Sequence, residues 1–230
     1  MREMDSRGGG ILMVTSSIPG EGKTTVSVNL AIAIARQGKS VILVDCDPRN
    51  PSVENAMGEN KKYPGIGAVV RGRVPLGQAL KNAEIPEADL SILYGGKPSA
   101  EDAALLGSKK MEDVLHALRR RADYVILDTA PAELLADASL LAKYVDAALY
   151  VVRCDYTKMS KIRNGIASLA MREVNIIGYV FNGDTNQKEG RYGYGYGYGY
   201  GYGRYGRYGR YSSYSRHGRM KNTGKREDSS

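Results

Sequence analysis

The stretch Ile11 to Thr25, ILMVTSSIPGEGKTT, places two glycines, a lysine and two threonines directly behind a short apolar run. Gly20, Gly22, Lys23 and Thr24 at this spacing, after a strand and before a helix, predict a phosphate-binding loop. Glycine lets backbone N–H groups come close to a polyphosphate, and the helix that follows turns its positive end toward the same anion. On this reading the loop Ser16 to Gly22, with Ser17 and Glu21 inside it, cradles the phosphates of ATP. Lys23 then reaches the β- and γ-phosphates, Thr24 sets its hydroxyl on Mg²⁺, and Thr25 adds a bond to the α-phosphate. The common pattern asks for glycine at position 17, where this chain has Ser17, so the loop is a variant.

Three carboxylates fall where such a loop needs them. Asp45 and Asp47 close the apolar run Ser40 to Val44, and alternation along a strand points both the same way while Cys46 turns to the opposite face. Asp128 ends the run Tyr124 to Leu127. In a parallel sheet ligands collect outside the carboxyl ends of the strands, so all three acids are placed to serve a metal or to act as a base. Asp128 is expected to act on Mg²⁺ through water, because that ion keeps much of its hydration shell. Asn182, at the end of the last apolar run, is either an amide partner for adenine or a turn residue before Gly183.

The elements that hold these residues follow from periodicity. Strands are expected at Ile11 to Val14, Ser40 to Val44, Leu90 to Tyr94, Tyr124 to Leu127, Ala147 to Val152 and Ile176 to Phe181. Helices are expected at Thr24 to Gln37, Gly65 to Val70, Leu76 to Lys81, Ser99 to Leu106, Lys109 to Arg121, Glu133 to Lys143 and Thr157 to Met171. Alternating strands and helices predict an α/β fold, a mainly parallel sheet with helices on both faces. His116, alone on its helix, is read as a surface or packing residue.

The formal charge of +8 divides unevenly over the 230 residues. From Lys188 onward ten basic residues face three acidic ones, against 23 and 22 before it, so the folded part is nearly neutral and its charge does not ask for nucleic acid. Cys46 and Cys154 are too few for a disulfide framework, which points to a reduced, cytoplasmic setting. The opening MREMDSRGGG has neither a leader pattern nor an apolar span. The domains expected are an extension over 1–10, a P-loop domain over 11–183 and a tail over 184–230.

That tail is a different kind of sequence. Tyr192, Tyr194, Tyr196, Tyr198, Tyr200 and Tyr202 alternate with glycine, and Tyr205, Tyr208, Tyr211 and Tyr214 continue at a period of three. With almost no large aliphatic residues it cannot bury enough apolar surface to offset its ordering entropy, so disorder is expected. Arg, Gly and Tyr together could bind single-stranded nucleic acid by charge and stacking, or self-associate. Behind a nucleotide-binding domain they gain another use. A flexible segment of about 10–30 residues reaches roughly 15–35 Å, which brings its hydroxyls to its own phosphate site or a neighbour's as phosphoryl acceptors.

The three segments SSIPGEGKTT (Ser16 to Thr25), VILVDCDPRNP (Val41 to Pro51) and YVILDTAP (Tyr124 to Pro131), with SKKMEDVLHAL (Ser108 to Leu118) and the tyrosine cluster, resemble the bacterial P-loop tyrosine kinases of polysaccharide biosynthesis. The resemblance covers about Gly10 to Gly183 plus the tail. It implies autophosphorylation of the tail and control of capsular or extracellular polysaccharide synthesis or export. It also implies that Asp45 orients or deprotonates the tyrosine hydroxyl while Asp47 and Asp128 manage Mg²⁺. Implied partners are a separate transmembrane activator of the chain-length type that recruits the kinase to the inner face of the membrane, a second copy for transfer in trans, and a cognate tyrosine phosphatase. Such kinases carry before the first strand a segment with a Glu and two Arg that packs subunits into a ring; here MREMDSRGGG stands before it, and ring assembly by that route is not expected. The competing class is a partition-type P-loop ATPase with a DNA- or RNA-binding tail. Ile18 argues against it, standing where those ATPases carry a lysine five residues before the loop lysine.

Overall fold

The structure, a computed structural model, describes residues 4, 8–59, 62–132 and 136–183. In chain order the elements are β1 (Gly10–Ser16), α1 (Lys23–Ala35), β2 (Val41–Cys46), α2 (Val53–Ala56), α3 (Ile66–Val70), α4 (Leu76–Ala79), β3 (Lys81–Asn82) and β4 (Leu90–Leu93). There follow α5 (Ala100–Ala103), α6 (Lys109–Arg119), β5 (Tyr124–Thr129), α7 (Ala136–Leu141), β6 (Ala147–Arg153), α8 (Met159–Ala170) and β7 (Ile176–Asn182). The sheet order is β3-β4-β2-β5-β1-β6-β7, and all neighbours run parallel except the short edge strand β3. The α/β reading from periodicity therefore holds.

Alternation along the strands splits the interior into two cores, one on each face. Leu12 and Val14 of β1, Val41 and Leu43 of β2 and Ile126 of β5 pack with Val28, Ala31 and Ile34 of α1. Met13, Val44, Cys46 and Leu127 point to the other face and meet Met111, Leu115 and Leu118 of α6. The spacing 111, 115, 118 is one stripe of a helix, and each such side chain removed from water stabilises by about 2 kcal/mol. Ser108 begins that helix, its Oγ accepting a hydrogen bond from the Met111 N–H at 3.2 Å.

Several boundaries differ from the sequence expectation for local reasons. The expected helix Leu76 to Lys81 stops at Ala79, because Leu80 is extended and Lys81 pairs with Ile92 as the edge strand. Ser99 to Leu106 becomes one α-turn followed by a 3-10 turn over Ala104–Gly107, with Ser99 Oγ accepting from the Asp102 N–H. The helix expected from Glu133 is seen from Ala136, residues 133–135 lying outside the described set, and it tightens into a 3-10 turn at Ala142–Tyr144. The expected tyrosine sites, Tyr192 to Tyr214, also lie outside the described residues. Among the described residues no helix is long and apolar enough to cross a membrane.

Candidate functional site

The phosphate loop spans the end of β1 to the start of α1 and contains two left-handed glycines, Gly20 (φ +86°) and Gly22 (φ +93°). At Gly22 a side chain is ruled out twice, by that φ and because a Cβ would stand 2.0 Å from Asn182 Nδ2. Glu21 is wholly buried, and its carboxylate accepts from the Ile18 N–H at 2.8 Å and from the Thr157 hydroxyl at 2.7 Å. Its side chain therefore shapes the loop and ties it to the segment after β6. Ser17 is also bound from behind, its Oγ accepting from the Tyr150 hydroxyl at 3.0 Å. Gly165 of α8 makes room for that phenol, since a Cβ there would lie 2.0 Å from the tyrosine oxygen.

On α1, Lys23 and Thr24 are buried while Thr25 is exposed on the first turn. The Thr24 hydroxyl donates to Asp128 Oδ2 at 2.7 Å. Ser27, one turn further on, shares its one hydroxyl proton between the Lys23 carbonyl at 2.9 Å and Asp128 Oδ1 at 3.1 Å, so both oxygens of that carboxylate face hydroxyls of the loop helix. Since Thr24 gives its one proton to Asp128, the 2.8 Å contact between the Thr24 and Ser52 hydroxyls has Ser52 as donor. Lys23 Nζ lies 3.7 Å from Asp47 Oδ2.

The sheet brings the acids together. Because β5 inserts between β1 and β2, Asp128 is in register with Val14 on one side and Asp45 on the other. Asp45 and Asp128 thus share the face that carries α1, whereas Cys46 belongs to the opposite core. Both oxygens of Asp45 hold backbone: Oδ1 accepts from the Asp47 N–H at 3.1 Å, Oδ2 from the Ser52 and Val53 N–H groups at 2.9 and 3.0 Å. Asp45, Asp47 and Asp128 are all wholly buried. Burial first, and then the Asp128 charge, pushes the Asp45 carboxyl up to about 8 against the backbone N–H bonds. Burial pushes Asp128 up to about 6, with Lys23 and the Thr24 hydroxyl opposing. The Cys46 thiol is driven well above its ordinary value, chiefly by burial and then by the three acids, so it is no nucleophile.

Among the described residues no three His, Cys, Asp or Glu side chains gather as a metal cage. One hydroxyl and two carboxylates, Thr24, Asp47 and Asp128, nevertheless suit Mg²⁺, which completes its shell with water and phosphate oxygens. Three buried acids around one lysine also leave negative charge that a divalent cation would offset. Asn182 stands at the end of β7, where its Nδ2 donates to the Glu21 carbonyl at 2.9 Å. Arg153, at the end of β6, donates from Nη1 to the Gly20 carbonyl at 3.0 Å. Motif spacing could not point to Ser27, Ser52, Arg153 or Thr157, because each acts through a partner far along the chain or outside the loop pattern. Beside the Asp45 segment lies a cavity of about 420 Å³ lined by Tyr63, Arg71, Arg73, Gly95 and Lys97 among others. Gly95 separates it from Asp45, as a Cβ there would stand 3.0 Å from Asp45 Cγ.

Comparison with known proteins matches residues 10–176 to the AAA domain family. The tyrosine-protein kinase YwqD of Bacillus subtilis is 33% identical over 182 residues, which covers 79% of this chain and 76% of YwqD. The tyrosine-protein kinase CpsD of Streptococcus pneumoniae is 33% identical over 172 residues, 75% of each chain. Among solved structures, the kinase domain of the Escherichia coli tyrosine kinase Etk superposes with a TM-score of 0.75 at 26% identity, covering 85% of this chain and 75% of that one. The matched region runs from the phosphate loop through β6, so it contains the loop, all three acids and the sheet that aligns them. The chain belongs to the bacterial tyrosine-protein kinases built on a P-loop domain of this kind.

Proposed function

We propose that this tyrosine kinase uses ATP to phosphorylate the tyrosines of its own tail, Tyr192, Tyr194, Tyr196, Tyr198, Tyr200, Tyr202, Tyr205, Tyr208, Tyr211 and Tyr214, in trans on a second copy, with the P-loop domain over 11–183 and the tail over 184–230. The observation that carries the reading is the buried set Lys23, Thr24, Asp47 and Asp128 under a glycine loop, joined to a chain with ten tyrosines beyond it. In the transfer a tyrosine oxygen attacks the γ-phosphorus, the bond from that phosphorus to the β,γ-bridging oxygen breaks, and ADP leaves with the electron pair. The phenolic proton goes to a carboxylate. Asp45 suits that part because its proton affinity is raised toward neutrality, and the cover of Pro51 to Val53 must move off it to admit the phenol. Lys23 steadies the charge on the transferred group. Thr24, Asp47 and Asp128 would hold Mg²⁺, which when bound neutralises phosphate charge.

The chain works, on this proposal, in the cytoplasm at the inner face of the membrane, recruited by a separate transmembrane activator, with a phosphatase to reset it and polysaccharide synthesis or export as the process regulated. Each phosphate adds about −1.5 to −2 charges, so five modified tyrosines reverse the +7 of the tail from Lys188 onward. The experiment is mass spectrometry of the purified chain after incubation with ATP and Mg²⁺, beside Lys23→Met, with an activator fragment added where activity is low. Phosphate on Tyr192 to Tyr214 that disappears with Lys23 is expected. ATP hydrolysis over an unmodified tail, even with the activator, overturns the reading in favour of a nucleotide switch.

A further inference from the structure

Two side chains from outside the phosphate loop hold it by its carbonyls. Arg153 Nη1 donates to the Gly20 carbonyl at 3.0 Å and Asn182 Nδ2 to the Glu21 carbonyl at 2.9 Å. These carbonyls belong to the peptide units whose N–H groups are those of Glu21 and Gly22. A trans peptide is planar and carries its C=O and N–H on opposite sides, so anchoring the oxygen fixes the direction of the hydrogen. With both oxygens drawn toward the ends of β6 and β7, both hydrogens are aimed away from those strand ends. Successive N–H groups aimed in this way at a helix start make an anion nest.

The anchors are themselves fixed. The Asn182 carbonyl accepts from the Cys154 N–H at 2.8 Å, which locks the ends of β6 and β7 together. Gly22 offers only a Cα to Asn182, the approach that a Cβ would block at 2.0 Å. The Arg153 guanidinium lies 4.8 Å from the centre of the Tyr156 ring, a contact that limits its rotamers. Glu21 adds a third tie through Thr157. These ties reach only backbone and side chains of the protein, so they act on a phosphate chain with or without a base.

We propose that Arg153 and Asn182 are positioning residues of the phosphate loop, aiming the Glu21 and Gly22 N–H groups at a polyphosphate. The proposal rests on the loop as a polyphosphate site and is independent of which tyrosines are phosphorylated. It predicts a loss common to every ligand with a phosphate chain, whatever its base.

The test is titration calorimetry of the full chain with three probes, inorganic tripolyphosphate, Mg·ADP and Mg·GDP, beside ligand-free thermal melting. Asn182→Leu and Arg153→Met should each weaken all three by a similar factor, about 5–30-fold, the size set by one lost hydrogen bond in a preorganised site. For Arg153→Met the ADP to GDP ratio should stay within twofold, and Arg153→Lys, which keeps a donor, should recover most of the affinity. Arg153 is exposed, so its substitution carries the test even where Asn182→Leu lowers the melting temperature. A loss confined to Mg·ADP, with tripolyphosphate unaffected, would show that Asn182 acts on the base and not on the loop, and overturn the proposal. Unchanged affinities in both variants would overturn it as well. A wild-type chain that bound none of the probes would remove the polyphosphate reading itself, and the proposal with it.

Discussion

Replacing Asp45 by Asn separates two jobs that the structure gives one side chain. Its carboxylate accepts three backbone N–H bonds, from Asp47, Ser52 and Val53, and an amide has only one accepting oxygen. With that oxygen kept on Ser52 and Val53, the new NH₂ faces the Asp47 N–H, which costs about 1–3 kcal/mol for a buried donor left unmatched. Above about pH 8, where Asp45 is ionised, the substitution also removes a negative charge one strand from Asp128. Two such charges about 5 Å apart repel by roughly 3 kcal/mol at an effective dielectric of 20. Near neutral pH, where Asp45 holds its proton, the first term stands nearly alone, so the variant should fold with a melting temperature lowered by up to about 8 °C. Mg·ADP affinity should stay within about threefold, because Asp47 and Asp128 remain, while tyrosine phosphorylation falls at least about 100-fold. Melting curves, calorimetry and phosphotyrosine mass spectrometry on one preparation give the three readings. Turnover within tenfold of wild type would refute Asp45 as the proton acceptor, and loss of Mg·ADP affinity beyond tenfold would move it to the metal site.

Glu21→Gln should cost at most about 1 kcal/mol, since an amide can accept from the Ile18 N–H and donate to Thr157 and gives up only the long 3.4 Å bond from the Arg153 N–H, whereas Glu21→Ala should cost about 3 kcal/mol and most nucleotide affinity; equal behaviour of the two in melting and calorimetry would refute a shaping role for this carboxylate. For the metal-free chain, Asp45 and Asp128 have folded proton affinities raised from the ordinary 3.8 to about 8 and about 6. The folded state therefore holds protons that the unfolded state has released, and stability should fall as pH rises from about 4 to about 8. Urea midpoints across that range, flat or rising, would contradict it. Ser108→Ala removes the cap on the Met111 N–H and should lower the melting temperature by about 2–4 °C through a loss of about 1 kcal/mol, with nucleotide binding intact.

The sequence by itself determined whatever is local. Gly20, Gly22, Lys23 and Thr24 announce a phosphate loop because only that order lets backbone approach an anion at a helix start. The alternation of Asp45 and Cys46 is likewise fixed by the pleat of β2, which ends at Cys46, and Cys46 does turn to the opposite core. Strand and helix order followed from periodicity, with errors where turn chemistry decided, as at Leu80 to Asn82 and Ala104 to Gly107. The tertiary structure alone decided which strands are neighbours. Apolar runs carry no label for their partners, so nothing in YVILD says that β5 slides between β1 and β2 and sets Asp128 beside Asp45. Complete burial raises the proton affinity of both acids, and that adjacency adds to it at Asp45. The same holds for Arg153, Thr157 and Asn182, which reach Gly20 and Glu21 across more than a hundred residues, because a loop's own sequence cannot show what grips it from outside.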